Sequence, residues 1–229
     1  MCRSMLRSGD SIIRDTSESS WLLTILIVTA SLAVWLWSLV NLPSLKDIAV
    51  VYLFMSIDAM ILGGFAYISN NIFPFTVLGV PKLKEAVLPI LVGVSYGLIF
   101  IFVGGGVTAL ASSVPLFSVA TPFLELAPPL LFLTYGIFAP LSEDLLFQST
   151  MLPMIARIFN KPLAIIMVAF GFSAMHWFFF GGSVALLITV FIFYIIAGAL
   201  TTIFRTAVVS MSAHITYNTL IIMLYLGMI

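Results

Sequence analysis

The chain has 229 residues, of which 62% are hydrophobic and only 8% are charged, with nine basic and nine acidic side chains. Soluble domains carry about 25% charged residues, so this composition excludes a water-soluble fold. The balanced charge gives no indication of nucleic-acid binding, and the single cysteine excludes an intrachain disulfide.

Seven apolar segments predict an all-α, polytopic transmembrane helical bundle. A helix needs about 20 apolar residues to cross the hydrocarbon core, and backbone groups in lipid must be satisfied within the chain. The segments follow a polar stretch, residues 1–20, and run over 21–42, 48–69, 86–110, 126–155, 162–180, 183–204 and 207–228. The first is too long for the core of a signal peptide, so we interpret it as a retained span.

Basic residues in the connections predict that the N-terminus lies inside. With this orientation the inside connections hold eight Lys and Arg residues, and the outside connections hold only Lys46. Short loops rich in Lys and Arg stay on the inner side of a membrane. The C-terminus is then expected outside.

The fourth segment is predicted to be kinked. Proline removes a backbone donor and bends a helix, and this segment contains Pro128, Pro129, Pro140 and Pro153. A short re-entrant piece over 114–125 is the alternative explanation for its length.

Polar side chains inside the predicted spans mark a candidate site, because an ionisable group at the centre of a membrane helix costs about 3 kcal/mol or more. They are Asp58, Glu143, Asp144, Gln148, His176, His214 and Asn218, and they include both histidines of the chain. One carboxylate (Glu143), both histidines and Asn218 lie 9 to 15 residues from the nearest inside basic residue. These counts correspond to depths of about 14 to 22 Å. The four groups are therefore expected to meet inside the bundle.

A carboxylate, two imidazoles and an amide in a pocket that excludes bulk water suit hydrolysis of a peptide or ester without a covalent intermediate. Glu143 could act as a general base on water, and imidazole or amide N–H groups could stabilise the oxyanion. Asp144 would support it from a different helix face. The alternative is zinc held by Glu143, His176 and His214, although no His-Glu-x-x-His motif occurs and Asn218 would have no role.

Three stretches resemble the motifs of the type II CAAX prenyl protease family, also called CPBP or ABI-domain intramembrane glutamic endopeptidases. The family motifs are Glu-Glu-x-x-x-Arg, Phe-x-x-x-His and His-x-x-x-Asn or His-x-x-x-Asp. The corresponding stretches run from Glu143 to Gln148, from Phe172 to His176 and from His214 to Asn218. Asp144 replaces the second glutamate and keeps its charge, whereas Gln148 replaces the arginine and loses the cation.

The resemblance covers residues 126–229, which it implies are a four-helix catalytic core. Residues 1–20 are then a polar cytoplasmic segment, and 21–125 hold three transmembrane helices with a connecting re-entrant segment. By resemblance, Glu143 activates water with help from His176. His214 and Asn218 bind the oxyanion, while Asp144, Gln148 and Phe172 support these residues.

The function implied is an intramembrane endopeptidase that cleaves near the C-terminus of a membrane-associated substrate, prenylated or not. Its expected partners are membrane lipid and a peptide or prenylated protein, and no nucleic acid. No cofactor is expected, with zinc as the alternative. The expected location is the cell membrane of a prokaryote or the endoplasmic reticulum of a eukaryote.

Two other functions remain open. Gln148 in place of arginine motivates a non-catalytic relative that acts as a membrane scaffold or immunity-type protein. A small transporter is suggested by the Gly and Pro breaks and by intramembrane acids such as Asp58. The clustering of polar residues in the C-terminal half disfavours transport.

Overall fold

The computed structural model describes residues 83–111, 128–177 and 183–229. Within these ranges the chain is helical and contains no strand. The first two predicted spans, Asp58, the N-terminal segment and the predicted re-entrant piece lie outside the described residues. The number of spans and the orientation stay predictions.

The described residues form five helices, which correspond to the third to seventh predicted segments. Helix α1 is Leu83–Ala111, α2 covers residues 128–158, α3 is Lys161–Met175, α4 is Val184–Phe204 and α5 is Val208–Tyr225. Three stretches within them, Leu83–Gly105, Val184–Phe204 and Val208–Tyr225, are long and apolar enough to cross a membrane. The chain is therefore an integral membrane protein, and the part of it that the structure describes is all-helical.

Helix α2 alternates between α-helical and π-helical turns. Its α-helical parts are Pro128–Leu131, Ala139–Asp144 and Leu152–Ile158, and its π-helical parts are Phe132–Phe138 and Leu145–Met151. The residues at the junctions keep right-handed helical dihedral angles, so the helix is continuous.

The prolines of α2 explain the position of the π-helical parts. Pro140 and Pro153 are each the second residue of an α-helical part that directly follows a π-helical one. A proline ring clashes with the carbonyl four residues earlier in an α-helix. The wider π turn, with hydrogen bonds to the fifth residue, moves that carbonyl away. The helix thus accommodates its prolines by widening, and the predicted kink stays a prediction.

Helix ends bring α3, α4 and α5 into one bundle. Asn160 caps α3 by accepting a hydrogen bond from the backbone N–H of Leu163 at 2.9 Å. Helix α4 ends at Phe204, and the next residue, Arg205, has a φ of 56°, which places it in the left-handed region. The three-residue connection over 205–207 makes α4 and α5 antiparallel neighbours.

Helix α1 approaches α5 closely through two glycines one turn apart. A Cβ on Gly93 would lie 2.0 Å from Ser212 Oγ and 2.2 Å from the carbonyl oxygen of Val209. A Cβ on Gly97 would lie 2.5 Å from the carbonyl oxygen of Ala213. Small residues at this spacing let transmembrane helices pack backbone to backbone. Helix α1 carries none of the motifs, yet it holds the backbone of α5 beside His214.

The surface of the bundle is apolar while its interior is partly polar. On α3, Phe170 exposes 67% of its surface, whereas Ser173 is 6% exposed. On α4, Ile203 is 70% exposed and Thr201 is fully buried. Lipid surroundings accept the apolar exterior, and the buried polar groups mark the helix faces that build the site.

Candidate active site

One pocket is lined by Glu143 from α2, His176 from the end of α3, and His214 and Asn218 from α5. The four side chains predicted as catalytic therefore lie at the same cavity, although they are spread over 76 residues of sequence. The remaining wall is mainly apolar and aromatic. It is formed by Phe100, Tyr135, Phe172, Leu186, Thr189, Val190, Phe193, Tyr217 and Ile221.

The imidazole of His214 lies between two carboxylates. Its Nε2 is 3.6 Å from Glu143 Oε2, and its Nδ1 is 3.7 Å from Asp144 Oδ2. All three residues are buried, with 6% or less of their surface exposed. Both distances exceed that of a direct hydrogen bond and lie within the range of an ion pair with a protonated imidazole. Asp144 was expected to support Glu143, and the structure places it beside the Nδ1 of His214.

Asp144 is held by a tyrosine that the sequence analysis did not identify. The hydroxyl of Tyr194, on α4, donates a 2.5 Å hydrogen bond to Asp144 Oδ1. The Tyr194 ring stacks on Phe172 with centroids 3.5 Å apart and planes 6° apart. Phe172 thus supports the carboxylate indirectly, through the ring that it contacts.

His176 is the C-terminal cap of α3, and its ring is oriented by its own helix. Its Nδ1 lies 2.8 Å from the carbonyl oxygen of Phe172. A carbonyl oxygen can only accept, so Nδ1 carries the proton of this bond. In the neutral ring, Nε2 is then the nitrogen that carries the acceptor lone pair. His176 can therefore accept a proton or a hydrogen bond at this position.

Asn218 connects α5 to the widened part of α2. Its Nδ2 donates a 3.0 Å hydrogen bond to the carbonyl oxygen of Tyr135. In this π-helical part the backbone N–H of Ala139 bonds to Thr134, five residues earlier. By the same pattern the carbonyl of Tyr135 would need the N–H of Pro140, which proline lacks. The Asn218 amide satisfies this carbonyl and retains a second N–H.

Gln148 is fully buried but does not line the pocket. Its Oε1 lies 3.5 Å from the position that a Cβ on Gly198 would take. Neither polar atom of its amide has a hydrogen-bond partner among the described residues. Gln148 therefore places a neutral amide, and no positive charge, one turn beyond the two acids.

The zinc alternative requires a preformed set of ligands. No three His, Cys, Asp or Glu side chains within 83–111, 128–177 and 183–229 are arranged to hold a metal ion. Glu143, His176 and His214 line the same pocket without forming such a set.

Two features beside the site were not predicted. Tyr194 is one of seven tyrosines, and nothing in its apolar surroundings distinguishes it. Gly93 and Gly97 do carry a readable signal, two small residues four apart in an apolar helix.

The comparisons agree with the motifs. Residues 125–220 match the family model described as "Type II CAAX prenyl endopeptidase Rce1-like". This range includes all three motif stretches and confirms the resemblance inferred from them. No curated protein and no solved structure matches the chain.

Proposed function

We propose that this chain is an intramembrane endopeptidase, because residues 125–220 match the Rce1-like family model of type II CAAX prenyl endopeptidases. It hydrolyses a peptide bond near the C-terminus of a membrane-associated substrate. The observation that supports this proposal is the convergence of Glu143, His176, His214 and Asn218 on one pocket. A base, two imidazoles and an amide donor around one cavity are the groups that a water-mediated hydrolysis needs.

In the proposed mechanism Glu143 is the general base. It takes a proton from a water molecule, which His176 orients by accepting a hydrogen bond at Nε2. The resulting hydroxide attacks the carbonyl carbon of the scissile bond. The proton held by Glu143 then passes to the leaving amine as the C–N bond breaks, so no covalent enzyme intermediate forms.

The oxyanion is stabilised from α5. The second N–H of Asn218 donates to it, and His214 donates from Nε2 when both ring nitrogens carry protons. Asp144, 3.7 Å from His214 Nδ1, complements the charge of that doubly protonated ring. Donors fixed in advance around a developing negative charge are usually the largest single contribution to catalysis.

The aromatic part of the wall supports an apolar substrate group. Phe193 lies 5.1 Å from Phe100 and 5.5 Å from Tyr217, measured between ring centroids, and 5.6 Å from the ring of His214. An aliphatic or prenyl chain would remove such surfaces from water and lipid without leaving a polar group unsatisfied. A prenylated protein C-terminus is thus the substrate class that we propose.

A second candidate, a non-catalytic family member that binds a membrane partner, is favoured by Gln148. This residue supplies no positive charge beside Glu143 and Asp144, and its amide has no hydrogen-bond partner among the described residues. Such a protein would bind its partner in the same pocket, and Glu143→Gln would leave that binding unchanged.

The decisive experiment is cleavage of a farnesylated CAAX peptide by the purified protein in lipid bilayers. We expect Glu143→Gln to lower the rate by about 100- to 10,000-fold, the usual contribution of a general base. Glu85→Gln, an exposed acid in the first turn of α1, is the matched control and should cleave like the wild type.

The same assay separates the alternatives. If a zinc chelator abolished cleavage by the wild type, a metal centre, and not Glu143 as a general base, would activate the water. If an unprenylated peptide were cleaved equally well, the enzyme would not require a prenyl group on its substrate. Wild-type protein that binds the peptide and never cleaves it would support the non-catalytic candidate.

A further inference from the structure

Tyr194 is a buried titratable group beside the site that the proposed mechanism does not use. We propose that Tyr194 is a positioning residue. Its hydroxyl fixes the carboxylate of Asp144 so that this carboxylate orients the ring of His214 in the pocket that His214 shares with Glu143. This inference rests on the proposed function, because the orientation of His214 matters only if His214 acts on a substrate.

The contacts of Asp144 show why its carboxylate needs an anchor. The torsion that rotates an aspartate carboxylate has a broad, weakly restricted range. One oxygen, Oδ1, accepts the 2.5 Å hydrogen bond from Tyr194. The other, Oδ2, has no hydrogen-bond partner among the described residues and lies 3.7 Å from His214 Nδ1. Fixing Oδ1 therefore fixes which oxygen faces the imidazole.

Tyr194 is itself held rigidly. It is 1% exposed and stacks on Phe172. Its ring also makes edge contacts at near-perpendicular angles with Phe147 and His214, each with centroids 6.2 Å apart. A tyrosine has few rotatable bonds, and these contacts leave its hydroxyl one position. The donor is preorganised, and a short O–H bond to a carboxylate is among the stronger hydrogen bonds in proteins.

The arrangement links four side chains in series across three helices. Tyr194 on α4 contacts Asp144 on α2, Asp144 lies at one nitrogen of His214 on α5, and Glu143 lies at the other nitrogen. Tyr194 is not among the residues that line the pocket. Its loss should therefore reduce the chemical step, kcat, and leave substrate binding unchanged.

The first test is Tyr194→Phe, which removes the hydroxyl and keeps the ring stacked on Phe172. We expect kcat to fall by about 10- to 100-fold, as for loss of a hydrogen bond to a charged group, with KM within about twofold. Tyr96→Phe is the matched control, because its hydroxyl bonds at 2.8 Å to the backbone carbonyl of Phe193 and its ring does not line the pocket. Equal kcat values for Tyr194→Phe and Tyr96→Phe would overturn the proposal.

A double variant tests whether Tyr194 acts through Asp144. If it does, Tyr194→Phe combined with Asp144→Asn should be no slower than Asp144→Asn alone. Rate losses that multiply would show that the tyrosine acts by another path and would overturn the positioning role.

A spectroscopic test is independent of activity. The chain has only two histidines, so ¹⁵N-histidine labelling gives two sets of ring resonances, which the His176→Gln variant assigns. Tyr194→Phe should shift the Nδ1 resonance of His214 and leave His176 unchanged. An unshifted His214 resonance would overturn the inference. Absent cleavage by the wild type would refute the proposed function, and the resonances would still decide the role of Tyr194.

Discussion

Replacing Gly97 by alanine should separate α1 from α5. The added methyl group would lie 2.5 Å from the carbonyl oxygen of Ala213 and 2.9 Å from Thr216 Cβ, whereas ordinary contacts of a Cβ are 3.4–4 Å. The first of these atoms belongs to the backbone, so no side-chain rotation relieves the clash. The two helices must therefore move apart by about 1 Å, a shift that already forfeits a large part of the dispersion energy between packed atoms.

The expected magnitude follows from two opposing effects. Overpacking of this kind costs about 1–3 kcal/mol, and exchanging glycine for alanine within a helix returns about 1 kcal/mol. The free energy of unfolding should therefore fall by up to about 2 kcal/mol. Ala213 directly precedes His214, so the same movement displaces His214 by about 1 Å. The proposed peptidase activity should then fall by about 100-fold.

Unfolding in detergent micelles and cleavage of the farnesylated peptide together measure both effects. Gly105→Ala on the same helix is the matched control, because its added Cβ would have no described atom within 4 Å. That variant should gain stability by about 1 kcal/mol through helix propensity alone. If Gly97→Ala were as stable and as active as Gly105→Ala, close packing of α1 on α5 would not hold the site in place.

Two further variants test other parts of the structure. Asn218→Ala removes the donor to the partly buried carbonyl of Tyr135 and should lower the free energy of unfolding by about 1–3 kcal/mol. Thr216→Val, which loses only a bond within its own helix, should change that energy much less; similar losses would contradict the role of Asn218. Arg205→Gly should raise the midpoint of denaturant unfolding. The left-handed backbone at Arg205 costs a non-glycine residue about 1–2 kcal/mol. This cost exceeds the conformational entropy that a glycine loses on folding. Arg205→Ala gains no such relief, and an equal rise in both variants would show that strain at this turn is not the cause.

The helices of the C-terminal region could be predicted closely because membrane thickness sets their length. The predicted sixth segment, 183–204, begins one residue before the helix Val184–Phe204 and ends at the same residue. The predicted seventh, 207–228, extends one residue before and three residues beyond the helix Val208–Tyr225. The π-helical parts of α2 could not be predicted. A proline indicates that the α-helical hydrogen-bond pattern is interrupted. The helical form that results depends on distant residues such as Asn218, which donates to the carbonyl of Tyr135 from 83 residues away.

The residues of the candidate site could be predicted from their estimated depth in the membrane. An isolated polar group in lipid is costly, so polar groups at a similar depth on different helices are expected to meet. The same reasoning could not identify Tyr194. A tyrosine in an apolar run carries no charge to mark it, and its partner Asp144 lies 50 residues earlier. Gly93 and Gly97 show another limit, since their spacing indicates close packing without saying which helix is the neighbour.

The distribution of the site over the helices has a consequence for biosynthesis. The two acids of α2 enter the membrane about 70 residues before His214 and Asn218 are synthesised. A nascent chain that has inserted only as far as α4 holds the proposed base without its oxyanion donors. It also leaves the carbonyl of Tyr135 without the amide that satisfies it. Docking of α5 against α1 and α2 would therefore have to precede the proposed hydrolysis, and the site would stay inactive until this part of the bundle has assembled.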